Sequence, residues 1–102
     1  MLDTAGFNDL RSYIKRRVSY ARYRVGSAWT KVYISEVVTE RDGTVRAKIN
    51  INSNGQNITV NRVELYNTDS ELWAHADCSL TVAAGQTGIS FWFDFNIKEE
   101  VA

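Results

Sequence analysis

A run of basic and aromatic residues at positions 15–24 has the clearest chemical character in the chain. It reads Lys-Arg-Arg-Val-Ser-Tyr-Ala-Arg-Tyr-Arg. Proteins bind single-stranded nucleic acid with this combination, because the cations neutralise phosphates while the rings stack on bases. The candidate contacts within the wider basic segment 11–24 are Lys15, Arg16, Arg17, Arg22 and Arg24.

The same run also gives reasons to rank nucleic acid below other partners. Tyr20 and Tyr23 fall on opposite faces if the segment is a strand, so they cannot share one stacking platform. The chain has twelve basic and twelve acidic residues, which is a poor electrostatic footprint for a polyanion.

Charge is unevenly distributed along the chain. Through Lys31 there are seven basic and two acidic residues, and the remainder holds five basic and ten acidic ones. Such asymmetry is found on nucleic-acid or membrane surfaces. It also arises when a basic helix lies against the acidic remainder of its own domain or of a neighbour, and we favour that interpretation.

Residues that could act in an enzyme are few. His75 is the only histidine, and Asp77 two residues later would complete at most half of a metal site, which normally needs three or four ligands. Cys78 falls on the apolar side of its segment, where cysteine behaves as a small hydrophobe rather than a nucleophile. The sequence shows no glycine-rich phosphate loop, zinc spacing or nucleophile elbow. We therefore predict a protein without catalytic activity, metal or cofactor.

Two tryptophans form a second candidate binding surface. Trp73 and Trp92 alternate away from the main apolar positions of their segments, and His75 lies two residues after Trp73. Exposed tryptophan on a β-sandwich stacks on sugar rings or anchors a protein partner. A helix or a second subunit that covers this face would instead place both rings in a core. We favour the covered alternative, because the apolar stripe of the helix needs a docking surface.

The elements that must position these residues follow from the hydrophobic periodicity. Steps of three and four between Phe7, Leu10, Ile14 and Val18 predict a helix over residues 4–18, with Asp3 or Thr4 as its N-cap. Period-two alternation then predicts strands. They span residues 19–26, 29–40, 45–51, 58–65, 72–82 and 89–97, with slips near Glu36 and Asn61.

These elements predict one domain in a chain of 102 residues: a helix over about 4–18, a sandwich over about 19–97 and a frayed tail over 98–102. The fold class is mainly β, an antiparallel sandwich or small barrel of about six strands with one N-terminal helix. We expect no signal peptide and no membrane span. The single cysteine excludes an internal disulfide.

Several segments resemble small proteins encoded by phages and prophages of Gram-positive bacteria. They are residues 7–14, Tyr23–Trp29, Asp42–Arg46, Arg62–Asn67 and Phe91–Phe95, which together span most of the chain. The segments are also similar in style to β-rich domains of phage tail fibres and baseplates. The resemblance implies a virion-associated or accessory role, in the virion or the host cytoplasm, and it assigns no functional residue.

The sequence thus leaves three functions open. The first is a non-enzymatic phage structural or accessory protein that contacts other phage proteins or further copies of itself. Its expected contact surfaces are the helix bearing Lys15, Arg16 and Arg17 and the face with Trp73 and Trp92. The second is a carbohydrate-binding module that uses Trp73, Trp92 and His75 on a cell-surface glycan. The third is a nucleic-acid binder that uses the basic segment.

Overall fold

A computed structural model describes residues 2–86 and 88–97. Within them the chain forms one helix and seven strands. They are α1 (Thr4–Arg17), β1 (Val18–Val25), β2 (Ala28–Tyr33), β3 (Glu36–Thr39), β4 (Val45–Ile51), β5 (Ile58–Asn67), β6 (Leu72–Val82) and β7 (Ile89–Phe95). The predicted tail at 98–102 lies outside the described residues.

The strands form two antiparallel sheets. One has the order β2-β1-β5-β6 and the other the order β3-β4-β7. This confirms the predicted mainly β class with one N-terminal helix. The two sheets do not close into a barrel, so the sandwich is the form that the fold takes.

The predicted strand over residues 29–40 is wrong as a single element. It is two strands, β2 and β3, which belong to different sheets. The chain crosses between the sheets at Ile34–Ser35, where the backbone N–H of Ser35 donates to the carbonyl of Lys48 at 2.8 Å. The slip in periodicity near Glu36 marks this crossing rather than a bulge within one strand.

The core lies between the sheets and draws side chains from both. Four alternate residues of β4, Val45, Ala47, Ile49 and Ile51, are fully buried. Buried residues of the other sheet, including Ala21, Val60, Val63 and Leu65, belong to the same cluster as Ile49 and Ile51. Burial of apolar area on this scale is the main stabilising term for such a domain.

The helix covers one end of the sandwich rather than a sheet face. Of its apolar stripe, Ile14 is buried, whereas Leu10 remains 44% exposed. Arg11 extends from the helix and donates to the carbonyl of Gly43 at 2.8 Å and to that of Ile97 at 3.4 Å. Asp3 is the N-cap residue, without a side-chain capping bond. The helix therefore ties together the β3–β4 turn and the end of β7.

Candidate binding face

The outer face of the four-stranded sheet gathers most of the exposed aromatic and basic side chains of that sheet. Cross-strand pairing arranges this face in three rows from β2 to β6. The tyrosine row is Tyr33–Tyr20–Tyr66–Leu72, the charged row is Lys31–Arg22–Glu64–His75, and the tryptophan row is Trp29–Arg24–Arg62–Asp77. We call these three rows the aromatic–basic face.

Cations and rings alternate across this face at short range. The Arg22 guanidinium lies 3.9 Å from the ring centroid of Trp29 and 5.4 Å from that of Tyr66. The Lys31 ammonium lies 4.3 Å from the ring centroid of Tyr20, whose ring stacks on Tyr66 at 5.0 Å. Each such cation–ring contact is worth about 0.5–1 kcal/mol at exposed sites. These contacts restrain the long basic side chains against the rings.

A buried carboxylate anchors the centre of the face. Glu64 is 5% exposed and accepts hydrogen bonds from Arg22 Nε at 2.6 Å, Arg62 Nε at 2.9 Å and the Tyr66 hydroxyl at 2.7 Å. Burial alone would raise the pKa of Glu64, but the donors and the Arg22 charge outweigh it and hold that pKa at about 2. Burial and the neighbouring Glu64 carboxylate raise the pKa of Tyr66. At neutral pH Glu64 is therefore ionised and committed to its donors.

The pairing also sets like charges opposite one another. Arg22 is the direct cross-strand partner of Lys31, and Arg24 is the partner of Arg62. Like charges in directly opposed positions are destabilising. Within the described residues, Arg24 and Lys31 have no carboxylate within salt-bridge distance. Arg24 donates through Nε to the side-chain amide oxygen of Asn61 at 2.6 Å, which leaves its charge without a carboxylate partner. The charges of Arg24 and Lys31 can therefore be neutralised by an anionic ligand.

A shallow depression marks the middle of the face. Its volume is about 410 Å³, and it is lined by Tyr20, Arg22, Trp29, Lys31 and Tyr66. Trp, Tyr and Arg are the residue types that dominate binding energy at protein interfaces. The depression is open and combines ring surface with guanidinium and ammonium donors, so it suits recognition of anionic groups rather than enclosure of a small apolar molecule.

Of the five basic residues predicted as contacts, two lie on this face and three lie on the helix. Arg22 and Arg24 take their places in the charged and tryptophan rows. Lys15 and Arg16 are exposed on α1. Arg17 donates to the Thr68 hydroxyl at 2.6 Å and to the Asp69 carboxylate at 2.8 Å, which holds the helix end against the β5–β6 turn. The basic segment 11–24 is therefore not one surface.

The predicted tryptophan surface is wrong, because its residues lie in different sheets. Trp73 belongs to β6 and Trp92 to β7. The β5–β6 register shifts between the pairs Leu65–Ala74 and Tyr66–Leu72, which leaves Trp73 as the extra residue of a bulge. Its ring contacts Phe95 at 6.1 Å and the helix residue Tyr13 at 6.3 Å between ring centroids. The bulge has turned Trp73 inwards.

Trp92 and His75 remain at the surface, on separate sheets. Trp92 is 46% exposed on the outer face of the three-stranded sheet, where the Arg46 guanidinium lies 4.8 Å from its ring centroid. Arg46 in turn donates to Asp94 at 2.8 Å. The sequence favours a helix that covers both tryptophans. Trp73 contacts the helix through Tyr13, whereas Trp92 remains exposed. His75 is exposed at the end of the charged row.

Sequence reasoning did not assign several members of the aromatic–basic face to a binding surface, namely Trp29, Lys31, Tyr33, Arg62, Glu64 and Tyr66. The alternation of Tyr20, Arg22 and Arg24 predicts the outward-facing residues of one strand, β1. The residues beside them on the face depend on which strands pair with β1 and in which register. Local periodicity does not contain that information. Tyr23, the other ring of the basic run, is buried, as its opposite face predicts.

Other chemistry is limited in the described part of the chain. Cys78 is partly buried, and burial and Asp77 raise the pKa of its thiol. Among residues 2–86 and 88–97, no three His, Cys, Asp or Glu side chains are grouped closely enough to hold a metal ion. The helix in these ranges is too short and polar to cross a membrane.

No protein-family model, curated protein or solved structure matches this chain. The functional assignment therefore depends on the geometry of the aromatic–basic face.

Proposed function

We propose that this protein is a non-enzymatic binding protein whose contact surface is the aromatic–basic face, and that its partner is a protein with an acidic surface. The observation that carries this proposal is the pair of like-charge cross-strand contacts, Arg22 with Lys31 and Arg24 with Arg62, on an exposed sheet face. In each pair one cation is already neutralised, Arg22 by Glu64 and Arg62 by Glu64 and Asp77. The other cation of each pair, Lys31 or Arg24, has no carboxylate within salt-bridge distance among the described residues, and an acidic partner supplies one.

The composition of the face supports a protein partner. Trp29, three tyrosines and three arginines lie side by side, and such residues carry most of the binding energy in protein interfaces. The resemblance to phage proteins supports a structural or accessory role in a virion, in which the partner is another virion protein. The glycan alternative loses its predicted platform, because Trp73 and Trp92 do not share a face.

Single-stranded nucleic acid is the second candidate ligand. One observation favours it. Tyr23 lies on the opposite face and cannot form a stacking platform with Tyr20, but Tyr66 and Trp29 line the same depression as Tyr20 and could do so. A flat sheet face with several aromatics and cations is a known platform for a few unstacked bases. The rings of this face already stack on each other or on cations, however, which leaves less ring surface for bases.

A charge-matched pair of variants tests the proposal. One variant carries Arg24→Gln and Lys31→Gln on the face; its control carries Lys15→Gln and Arg16→Gln on the helix. Both lose two positive charges from exposed or half-exposed side chains outside the salt bridges of the described residues. Fluorescence anisotropy with labelled oligo-glutamate, oligo-lysine and oligo-thymidine then reports binding at low salt.

We expect oligo-glutamate to bind, with affinity falling about tenfold in the face variant and less than about twofold in the helix control. Equal losses in the two variants would assign binding to general charge and reject the face. Preferential oligo-thymidine binding with a steep salt dependence would instead support the nucleic-acid candidate.

A further inference from the structure

Strand β2 is the regular edge of the four-stranded sheet. It pairs with β1 alone, over six consecutive residue pairs without a register shift. The opposite edge of the same sheet, β6, has two register shifts against β5, and β3 at the edge of the other sheet has only four residues. Bulges and short length protect edge strands from pairing with other chains. β2 has neither protection.

The basic side of the aromatic–basic face ends at this edge. In an antiparallel strand every second residue directs its N–H and C=O groups away from its neighbour, so β2 presents unpaired backbone groups at its free side. Its outward side chains are Trp29, Lys31 and Tyr33, and Tyr33 is 73% exposed. The other regular edge, β7, has Ser90, Trp92 and Asp94 on its outer face and no basic residue. An acidic segment is therefore matched to β2.

We propose that an extended acidic segment of the partner adds to β2 as a fifth strand of the four-stranded sheet. This inference rests on the proposed function and specifies how the partner binds. Side chains directly opposite on neighbouring strands lie about 5 Å apart, so a carboxylate opposite Lys31 reaches its ammonium and offsets the repulsion between Lys31 and Arg22. Backbone hydrogen bonds supply affinity, while side chains beside Trp29 and Tyr33 supply specificity.

A six-residue peptide of alternating Glu and Val, capped at both ends, is the probe, because β2 has six residues. Two analogues carry N-methyl groups on the Glu or on the Val amides, which removes the donors from one edge of the peptide at a time. We expect one analogue to bind at least about tenfold more weakly, since several backbone hydrogen bonds are lost. An otherwise identical peptide with Lys in place of Glu should not bind.

Amide hydrogen exchange of the protein locates the docking strand. With the Glu–Val peptide, exchange should slow in β2, whereas the regular edge β7 serves as the internal control. The charge reversal Lys31→Glu should abolish binding of the Glu peptide and permit binding of the Lys peptide, with circular dichroism confirming that the fold is retained.

The outcomes separate this inference from the proposed function. If the acidic peptide binds in a way that requires Arg24 and Lys31, but both methylated analogues bind equally well, strand addition is overturned and the binding face stands. If no acidic peptide binds, the proposed function fails. If amide exchange in β2 slows with rising protein concentration in the absence of peptide, a second copy of the chain occupies this edge. That result would overturn the proposal that an acidic segment of the partner binds there. Oligonucleotide binding that leaves β2 exchange unchanged would also overturn it.

Discussion

The Glu64 side chain shows how a single residue supports the binding face. A carboxylate this buried is costly unless its charge is balanced, and here two guanidinium groups and a phenol hydroxyl donate to it. The Glu64 carboxylate fixes Arg22 close to the rings of Trp29 and Tyr66, where Arg22 lines the depression. Glu64 therefore acts as a positioning residue for the cations of the face.

The pKa of Glu64 predicts how stability depends on pH. Since folding lowers that pKa from an ordinary 4.5 to about 2, the stabilisation is complete above about pH 4.5 and is lost as the pH falls towards 2. The difference corresponds to roughly 3 kcal/mol. Glu64→Gln should unfold more easily at pH 7 by about 2–3 kcal/mol and show a flatter pH profile between pH 5 and 2.

Urea denaturation at a series of pH values measures this prediction. The control is Asp69→Asn, which removes a carboxylate that is 66% exposed and bonded to Arg17. Surface ion pairs of that kind contribute little to stability. A Glu64→Gln profile as steep as that of the parent protein would show that another carboxylate controls the acid transition.

Trp92 illustrates what a single residue pattern can and cannot reveal. Its alternation with Phe91 and Phe93 correctly places it on the outward face of β7, and it remains 46% exposed there, whereas Phe93 is 8% exposed. The same reasoning fails for Trp73, because one extra residue in β6 reverses the side to which it points. A bulge changes orientation without changing composition, so periodicity alone does not detect it.

At the scale of elements, the turn between β6 and β7 depends on Gly88. Its φ is +131°, and a Cβ added there would lie 3.0 Å from the backbone carbonyl oxygen of Ile51. The backbone cannot move as freely as a side-chain tip, so Gly88→Ala should lower the free energy of unfolding by about 1–3 kcal/mol. Gly85 in the same connection has open space around it and a φ that other residues adopt.

Thermal or urea unfolding of Gly88→Ala and Gly85→Ala tests the turn directly. Gly85→Ala should change stability by less than about 0.5 kcal/mol, or raise it slightly by restricting the unfolded chain. Equal destabilisation by the two substitutions would indicate that loop entropy, rather than the contact with Ile51, is what matters at Gly88.

Most elements could be predicted from the sequence, but the binding face could not. The strands at 45–51 and 72–82 match prediction, and the slip at Asn61 corresponds to a register shift of β5 against β1 and β6. These features depend on local alternation and turn residues. The division of residues 29–40 between two sheets depends on which strands become neighbours, a property of long-range packing. Because β2 supplies Trp29, Lys31 and Tyr33 to the aromatic–basic face, the residues that make up this face could not be predicted either.

On the scale of the whole molecule, the inner faces of the sandwich stabilise the fold, and the outer face of the four-stranded sheet is the proposed binding surface. The inner faces of both sheets share one apolar cluster, which contains Leu65 and Val63 of β5 together with Ile49 of β4 and Phe93 of β7. The outer face of the four-stranded sheet is free to hold opposed cations, because the free energy of folding comes from the other side. Neutralising Lys31 removes both its repulsion with Arg22 and its cation–ring contacts with Tyr20 and Tyr33. The two effects are of similar size and opposite sign, so the net change in stability should be small.

The shared cluster predicts that the two sheets unfold together. Neither sheet retains a buried face once the other has separated, so no state with a single intact sheet is expected to accumulate. Phe93→Ala removes a buried ring of the three-stranded sheet and should cost about 3–5 kcal/mol. Far-UV circular dichroism reports both sheets, and tryptophan fluorescence includes Trp29 of the other sheet. In this variant both signals should have the same urea midpoint, lower than that of the parent protein. If the two signals separated in this variant, the four-stranded sheet would be shown to persist alone, and the aromatic–basic face would then belong to an independently stable layer rather than to the sandwich as a unit.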